Sequence, residues 1–178
     1  MHDILRYQRG EWPEAVVAIL SSAEGFRTAV VRESGTNPNE RCHLETIARM
    51  EIRSEAVRLG GSRLVRGLLW YALDGLAQAH AIFQEEPGFL GAYCHGMMHR
   101  REGDFWNANY WFRAAGKAPF GMFEAGFSPE RLTDACERAV HGDQEEVIQH
   151  LAEEAARILD HLFRREVPSK TKPSAETD

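Results

Sequence analysis

His95-Gly96-Met97-Met98-His99-Arg100-Arg101-Glu102-Gly103-Asp104-Phe105-Trp106-Asn107-Ala108-Asn109-Tyr110-Trp111-Phe112 carries both a helix-packing pattern and the main concentration of chemistry-bearing side chains in this chain. Apolar residues recur at spacings of three and four on both sides of Gly103-Asp104, and a glycine followed by an acidic residue is a stop followed by a start. The stretch therefore reads as two helices joined by a tight turn.

Working outward, Arg66-Gly67-Leu68-Leu69-Trp70 can be laid on His95-Gly96-Met97-Met98-His99. A shift of 29 residues puts Gly67 on Gly96, Ala79 on Ala108 and Phe83 on Phe112. A small residue in one helix, an alanine twelve later and an aromatic four beyond that let two antiparallel helices approach closely and lock. The pattern implies two helical hairpins in tandem.

Start signals punctuate the rest of the chain. Asn37-Pro38-Asn39-Glu40, Ser128-Pro129-Glu130 and Asp143-Gln144-Glu145-Glu146 each offer a capping side chain with a proline or acid in the first turn. The expected helices are 12–23, 38–59, 62–73, 75–86, 88–102, 104–117, 129–141 and 143–165. The stretch 25–35 reads as loop or a short extended piece. The fold class is all-α, with antiparallel helix-turn-helix pairs stacked as a short repeat-like array between flanking helices. Residues 1–167 are expected to form one helical domain with its repeat-like core at 60–120. The polar tail 168–178, with no apolar side chain larger than alanine, is expected to be disordered.

The spacing of Gly96, Gly103-Asp104-Phe105, Ala108, Ala115 and Pro119 resembles the tetratricopeptide repeat over about 60–120, one unit well and the preceding one loosely. The resemblance implies stacked helical pairs whose concave face binds a partner. The departures are the shift of 29 residues, against a usual period of about 34, and the presence of two units alone. Under repeat geometry Tyr71, Tyr93, Arg100 and Arg101 would line the groove, a basic and aromatic face suited to a carboxylate or an acidic peptide. The same geometry gives His95 and His99 positions that repeats fill with an apolar residue and a large aromatic. Two imidazoles there need partners, because a buried polar ring without one costs about 1–3 kcal/mol.

Two functional readings follow. The first is a non-enzymatic binding protein that takes a protein segment or small acidic ligand on the Tyr71, Tyr93, Arg100 and Arg101 face. The second is a metal or small-molecule site, open to catalysis, centred on His95 and His99, with a divalent metal as the cofactor in its metal-binding version. Histidines at i and i+4 can reach one ion, with Glu102 or His80 as a third ligand, and His80, Asp104, Asn107 and Tyr110 are its polar neighbours. The metal-free alternative is a satisfied polar network that fixes the helix crossing. A third possibility is assembly, in which a homodimer buries exposed aromatic residues.

No catalytic residue is assigned. Gly96 stands where a zinc-protease helix carries glutamate, and Gly-x-Ser-x-Gly and phosphate-loop patterns are absent from the sequence. Cys42, Cys94 and Cys136 lack the paired spacing of a thiolate zinc site or a disulfide framework. A formal charge of −6 offers no general attraction to nucleic acid, and no export signal or membrane-length apolar run is present, so a cytoplasmic protein is expected.

Overall fold

A computed structural model describes residues 4–22, 30, 61–119 and 121–164, with side-chain exposure for all of these except 22, 61 and 62. The expected helix at 38–59, the stretch 25–35 apart from Val30, Cys42 and the tail 168–178 lie outside the described residues.

A short 3-10 helix, Ile4–Tyr7, leads into α1 (Glu14–Ser22), α2 (Gly61–Ala72), α3 (Leu76–Phe83), α4 (Gly88–Glu102), α5 (Phe105–Ala115), α6 (Pro129–Ala139) and α7 (Glu145–Arg164). The described residues form helices and no strands, as the spacing of apolar residues implied. None of these helices is long and apolar enough to cross a membrane.

The helix ends follow from local chemistry. Gly103 closes α4 in the left-handed region at φ 80°, its N–H donating to the Arg100 carbonyl while the Asp104 N–H donates to the His99 carbonyl. This pairing satisfies carbonyls that a helix end otherwise leaves bare. The Asp104 carboxylate then accepts from the Asn107 N–H at 3.2 Å and starts α5. Ser128 caps α6 in the same way, accepting from the Arg131 N–H at 3.2 Å, with Pro129 in the first turn.

Two hairpins use one kind of lock. A Cβ placed on Gly67 would sit 2.4 Å from the Phe83 ring, and one on Gly96 would sit 2.9 Å from the Phe112 ring and 3.2 Å from the Ala108 carbonyl oxygen. Each glycine therefore lets a buried phenylalanine of the next helix lie against bare backbone. Around these contacts Leu68, Leu69, Leu76, Met97, Met98 and Tyr93 join one core with the 20-residue α7. The stripe Leu151, Ala155, Ile158, Leu159 and Leu162 of α7 is buried against it. Each large aliphatic side chain so buried contributes about 1.5–3 kcal/mol.

Helix α4 is the central element. Its residues Tyr93 to Arg101 are all buried, charged ones included, because α3, α5 and other packed segments cover it on several sides. This corrects the expectation for Tyr71, Tyr93, Arg100 and Arg101, which do not line an open groove. Arg100 and Arg101 are both 0% exposed. Arg100 is ion-paired with Glu154 of α7 and lies over the Phe112 ring, and Tyr93 donates to the same carboxylate at 2.6 Å. Arg101 is ion-paired with Asp74 and lies over the buried Tyr71 ring. Each guanidinium has an acid brought to it by a distant part of the chain.

Candidate metal centre

Three imidazoles meet where α3, α4 and α5 pack together. His80 comes from the last turn of α3, and His95 and His99 come from successive turns of α4. One ring nitrogen from each can be chosen so that all three lie within 4.8 Å of one another, a group that could hold a metal ion. The rings are close-set, His95 on His99 at 4.7 Å between centroids and His80 at 4.8 and 5.0 Å from the other two. Trp111 of α5 lies against His95 at 4.4 Å and closes that side.

Glu102 stands behind the triad. Its Oε1 is 3.1 Å from His80 Nδ1, and its Oε2 is 3.2 Å from His99 Nδ1. Among the sequence-based ligands Glu102 was paired with His95 and His99, but the helix carries its carboxylate one turn further along, to the outer edges of the rings. His80, the other option, supplies the third nitrogen.

The contacts imply a proton arrangement. A carboxylate only accepts, so His80 and His99 each present an Nδ1–H to Glu102 and leave Nε2 with its lone pair. His95 Nε2 is 2.9 Å from His80 Nε2, which requires one proton between them, carried by His95. Asn107 Nδ2 stands 3.2 Å from His99 Nε2 and can donate there. The lone pairs of His80 and His99 thus face inward, with Asn107 and His95 holding the donor positions that a cation would take.

Electrostatics favours a neutral His95 ring at this spot. Burial, followed by the neighbouring His99 and His80, pushes the His95 pKa from 6.5 down to about 4. The Glu102 carboxyl is lowered, chiefly by its hydrogen bond to His99, with His80 acting in the same direction against the opposing effect of burial. An ionised carboxylate hydrogen-bonded to the outer nitrogens of imidazoles is the arrangement that orients histidine ligands at metal sites.

The remaining sequence candidates separate from this centre. Asp104 serves as the α5 cap. Tyr110 is exposed, stacks on the exposed Trp106 at 6.2 Å and reaches the centre through an edge contact with Trp111 at 5.6 Å. Tyr71, Tyr93, Arg100 and Arg101 belong to the buried ion-pair layers. Cys94 and Cys136 are buried, and burial raises both thiols well away from ready ionisation.

Sequence reasoning missed Glu154 and Asp74, the partners of the two buried arginines. Glu154 had a signal: it falls three residues after Leu151 and four before Ile158, on the apolar stripe of its helix. An acid on such a stripe implies a buried cation facing it.

No protein-family model, curated protein or solved structure matches this chain.

Proposed function

We propose that this protein binds a divalent transition-metal ion through His80, His95 and His99, with Glu102 as the outer carboxylate that holds two of the rings. The observation carrying this reading is the convergence of three imidazole nitrogens within 4.8 Å. A tetrahedral ion with bonds of about 2.0–2.1 Å spaces its ligand nitrogens by about 3.3 Å. The triad spans that value, from 2.9 Å for one pair to 4.8 Å at its limit. Three neutral imidazoles suit zinc, copper, nickel, cobalt or iron in preference to magnesium or calcium.

His95 and His99 are nearly closed off, whereas His80 and Glu102 are about one-quarter and one-third exposed. That partly open side leaves room for a fourth ligand from solvent or a small molecule, the arrangement in which a metal lowers the pKa of bound water or polarises a carbonyl. Binding would require His95 to release or rotate away the proton it shares with His80.

A second reading is the polar network without metal. The 2.9 Å nitrogen-to-nitrogen contact and the Asn107 amide account for the inward lone pairs as they stand. Calorimetric titration of protein made without a histidine tag separates the two. Zinc or cobalt is expected to bind at one ion per chain, with the visible absorption of tetrahedral cobalt. Loss of that binding in both His95→Ala and His80→Ala supports the metal centre. Saturation absent in the wild type, or unchanged in both variants, leaves the polar network as the account.

A further inference from the structure

A second site lies on another part of the fold, around the carboxyl-terminal half of α7. Asp160, almost wholly buried there, accepts hydrogen bonds from the Arg9 N–H at 3.1 and 3.2 Å, the Gly10 N–H at 3.1 Å and Trp12 Nε1 at 2.8 Å. One carboxylate thereby docks the segment after the 3-10 helix onto α7. That docking brings the Arg9 side chain into one cleft with Arg157 and Arg164, which are seven residues apart and so share a face of α7.

The cleft holds about 370 Å³, and Gly10, Gly121, Met122 and Glu124 complete its lining. An adjoining lobe of about 210 Å³ shares Gly121, Met122, Arg157 and Arg164. Three arginines therefore line a space in which, among the described residues, Glu124 is the sole acidic lining residue, with the buried Asp160 carboxylate 3.7 Å from Arg164.

Arg157 is the decisive group. Its side chain is 6% exposed, and its two acids, Glu153 at 2.5 Å and Glu124 at 3.3 Å, both engage the same nitrogen, Nη2. Its Nη1 is buried with no hydrogen-bond partner. A buried charged donor left unmatched is costly, and a guanidinium is built to grip a planar or tetrahedral oxyanion with two nitrogens at once. Glu124 is two-thirds exposed and spans Arg9, at 2.6 Å, and Arg157. It is an internal carboxylate lying where a ligand carboxylate or phosphate would lie, on a side chain free to swing out to solvent.

We propose that this cleft binds the oxyanion group of a small organic molecule, a carboxylate or a phosphate, between Arg9, Arg157 and Arg164, with Glu124 as the group it displaces. The volume exceeds what a bare ion fills, and Met122 provides an apolar wall for a carbon skeleton. The chain's charge of −6 opposes a long polyanion, which favours a small molecule over nucleic acid. This site shares no residue with the histidine centre and stands or falls independently of it.

Titrating the full-length protein with succinate and, separately, with inorganic phosphate tests the proposal by calorimetry and by chemical shifts of the Arg157 side chain. Saturable binding at one site is expected in at least one arm, and the responding arm identifies the oxyanion class. Arg164→Ala, a change at a half-exposed side chain, is expected to weaken it by about tenfold or more with the melting temperature retained. Glu124→Gln removes the internal competitor's charge and is expected to tighten binding severalfold. No saturation by either anion in the millimolar range, or affinities unmoved by both substitutions, overturns the proposal.

Discussion

Arg100 of α4 and Glu154 of α7 form an ion pair in which both side chains are 0% exposed, and Tyr93 donates a second hydrogen bond to the same carboxylate at 2.6 Å. Burial by itself would lower the Arg100 pKa, and the adjacent Glu154 carboxylate outweighs that, so the guanidinium stays charged at any working pH. Such a pair adds little net stability compared with a packed apolar equivalent, but removing one partner strands the other in a water-free layer. Glu154→Ala is therefore expected to cost about 3–5 kcal/mol in denaturant unfolding. The double variant Arg100→Met with Glu154→Leu should recover most of that loss. A single variant within about 1 kcal/mol of wild type would show that water reaches the guanidinium.

The two glycine locks make a matched pair of tests. Gly96→Ala gains helix propensity, worth up to about 1 kcal/mol, but its Cβ would meet the buried Phe112 ring at 2.9 Å. Overpacking of that kind costs about 1–3 kcal/mol. Gly67→Ala meets Phe83 still closer, at 2.4 Å, and is expected to be destabilised at least as much. Shortening the ring vacates the contested space, so Gly96→Ala with Phe112→Leu should be less destabilised than the sum of its single variants. Strict additivity in the urea melts would mean that the ring is not what the glycine accommodates.

These locks were legible before any coordinates, because steric fit between a bare backbone and a ring leaves a fixed spacing in sequence. The caps at Asp104 and Ser128 were legible for a similar reason, each acting within three residues of itself. Arg100 and Arg101 were misread as an exposed face because their neutralising acids lie 54 and 27 residues away. No local pattern around an arginine reports a carboxylate delivered by another helix. The histidine centre falls between these cases. The i,i+4 pair was visible on one helix, but whether Glu102 or His80 completed it depended on how α3 docks, which is set by core packing and not by the spacing within α4.

The histidine centre also has a pH signature. His95 has a pKa of about 4 in the folded chain against 6.5 when unfolded, so between those values the unfolded state holds more protons. Stability from this group is complete above pH 6.5 and is lost as pH falls toward 4. The lowered Glu102 carboxyl adds a loss of the same sign at the acid end. In chelator-treated protein the melting temperature is expected to drop from pH 7 to pH 5, and to drop less in His95→Asn, which keeps a polar side chain without the titration. Equal drops in the two proteins would place the acid sensitivity elsewhere.

Glu102 discriminates between a metal centre and a hydrogen-bonded cluster. As the outer carboxylate it orients the Nδ1–H groups of His80 and His99 and raises the donor strength of their other nitrogens. Its loss at comparable sites weakens metal binding by about 10–100-fold. Glu102→Gln keeps the shape and one accepting oxygen but places an amide N–H₂ against one of the two ring N–H groups. That ring must turn over its tautomer and present a protonated Nε2 to the ion. The expected result is a zinc affinity reduced by one to two orders of magnitude at unchanged stoichiometry, with a melting temperature in chelator that shifts little. If Glu102 were a direct ligand instead, the cobalt complex of the variant would also change coordination, and its visible band would move in wavelength and fall in intensity. Weakened affinity with an unmoved cobalt spectrum assigns Glu102 the outer role.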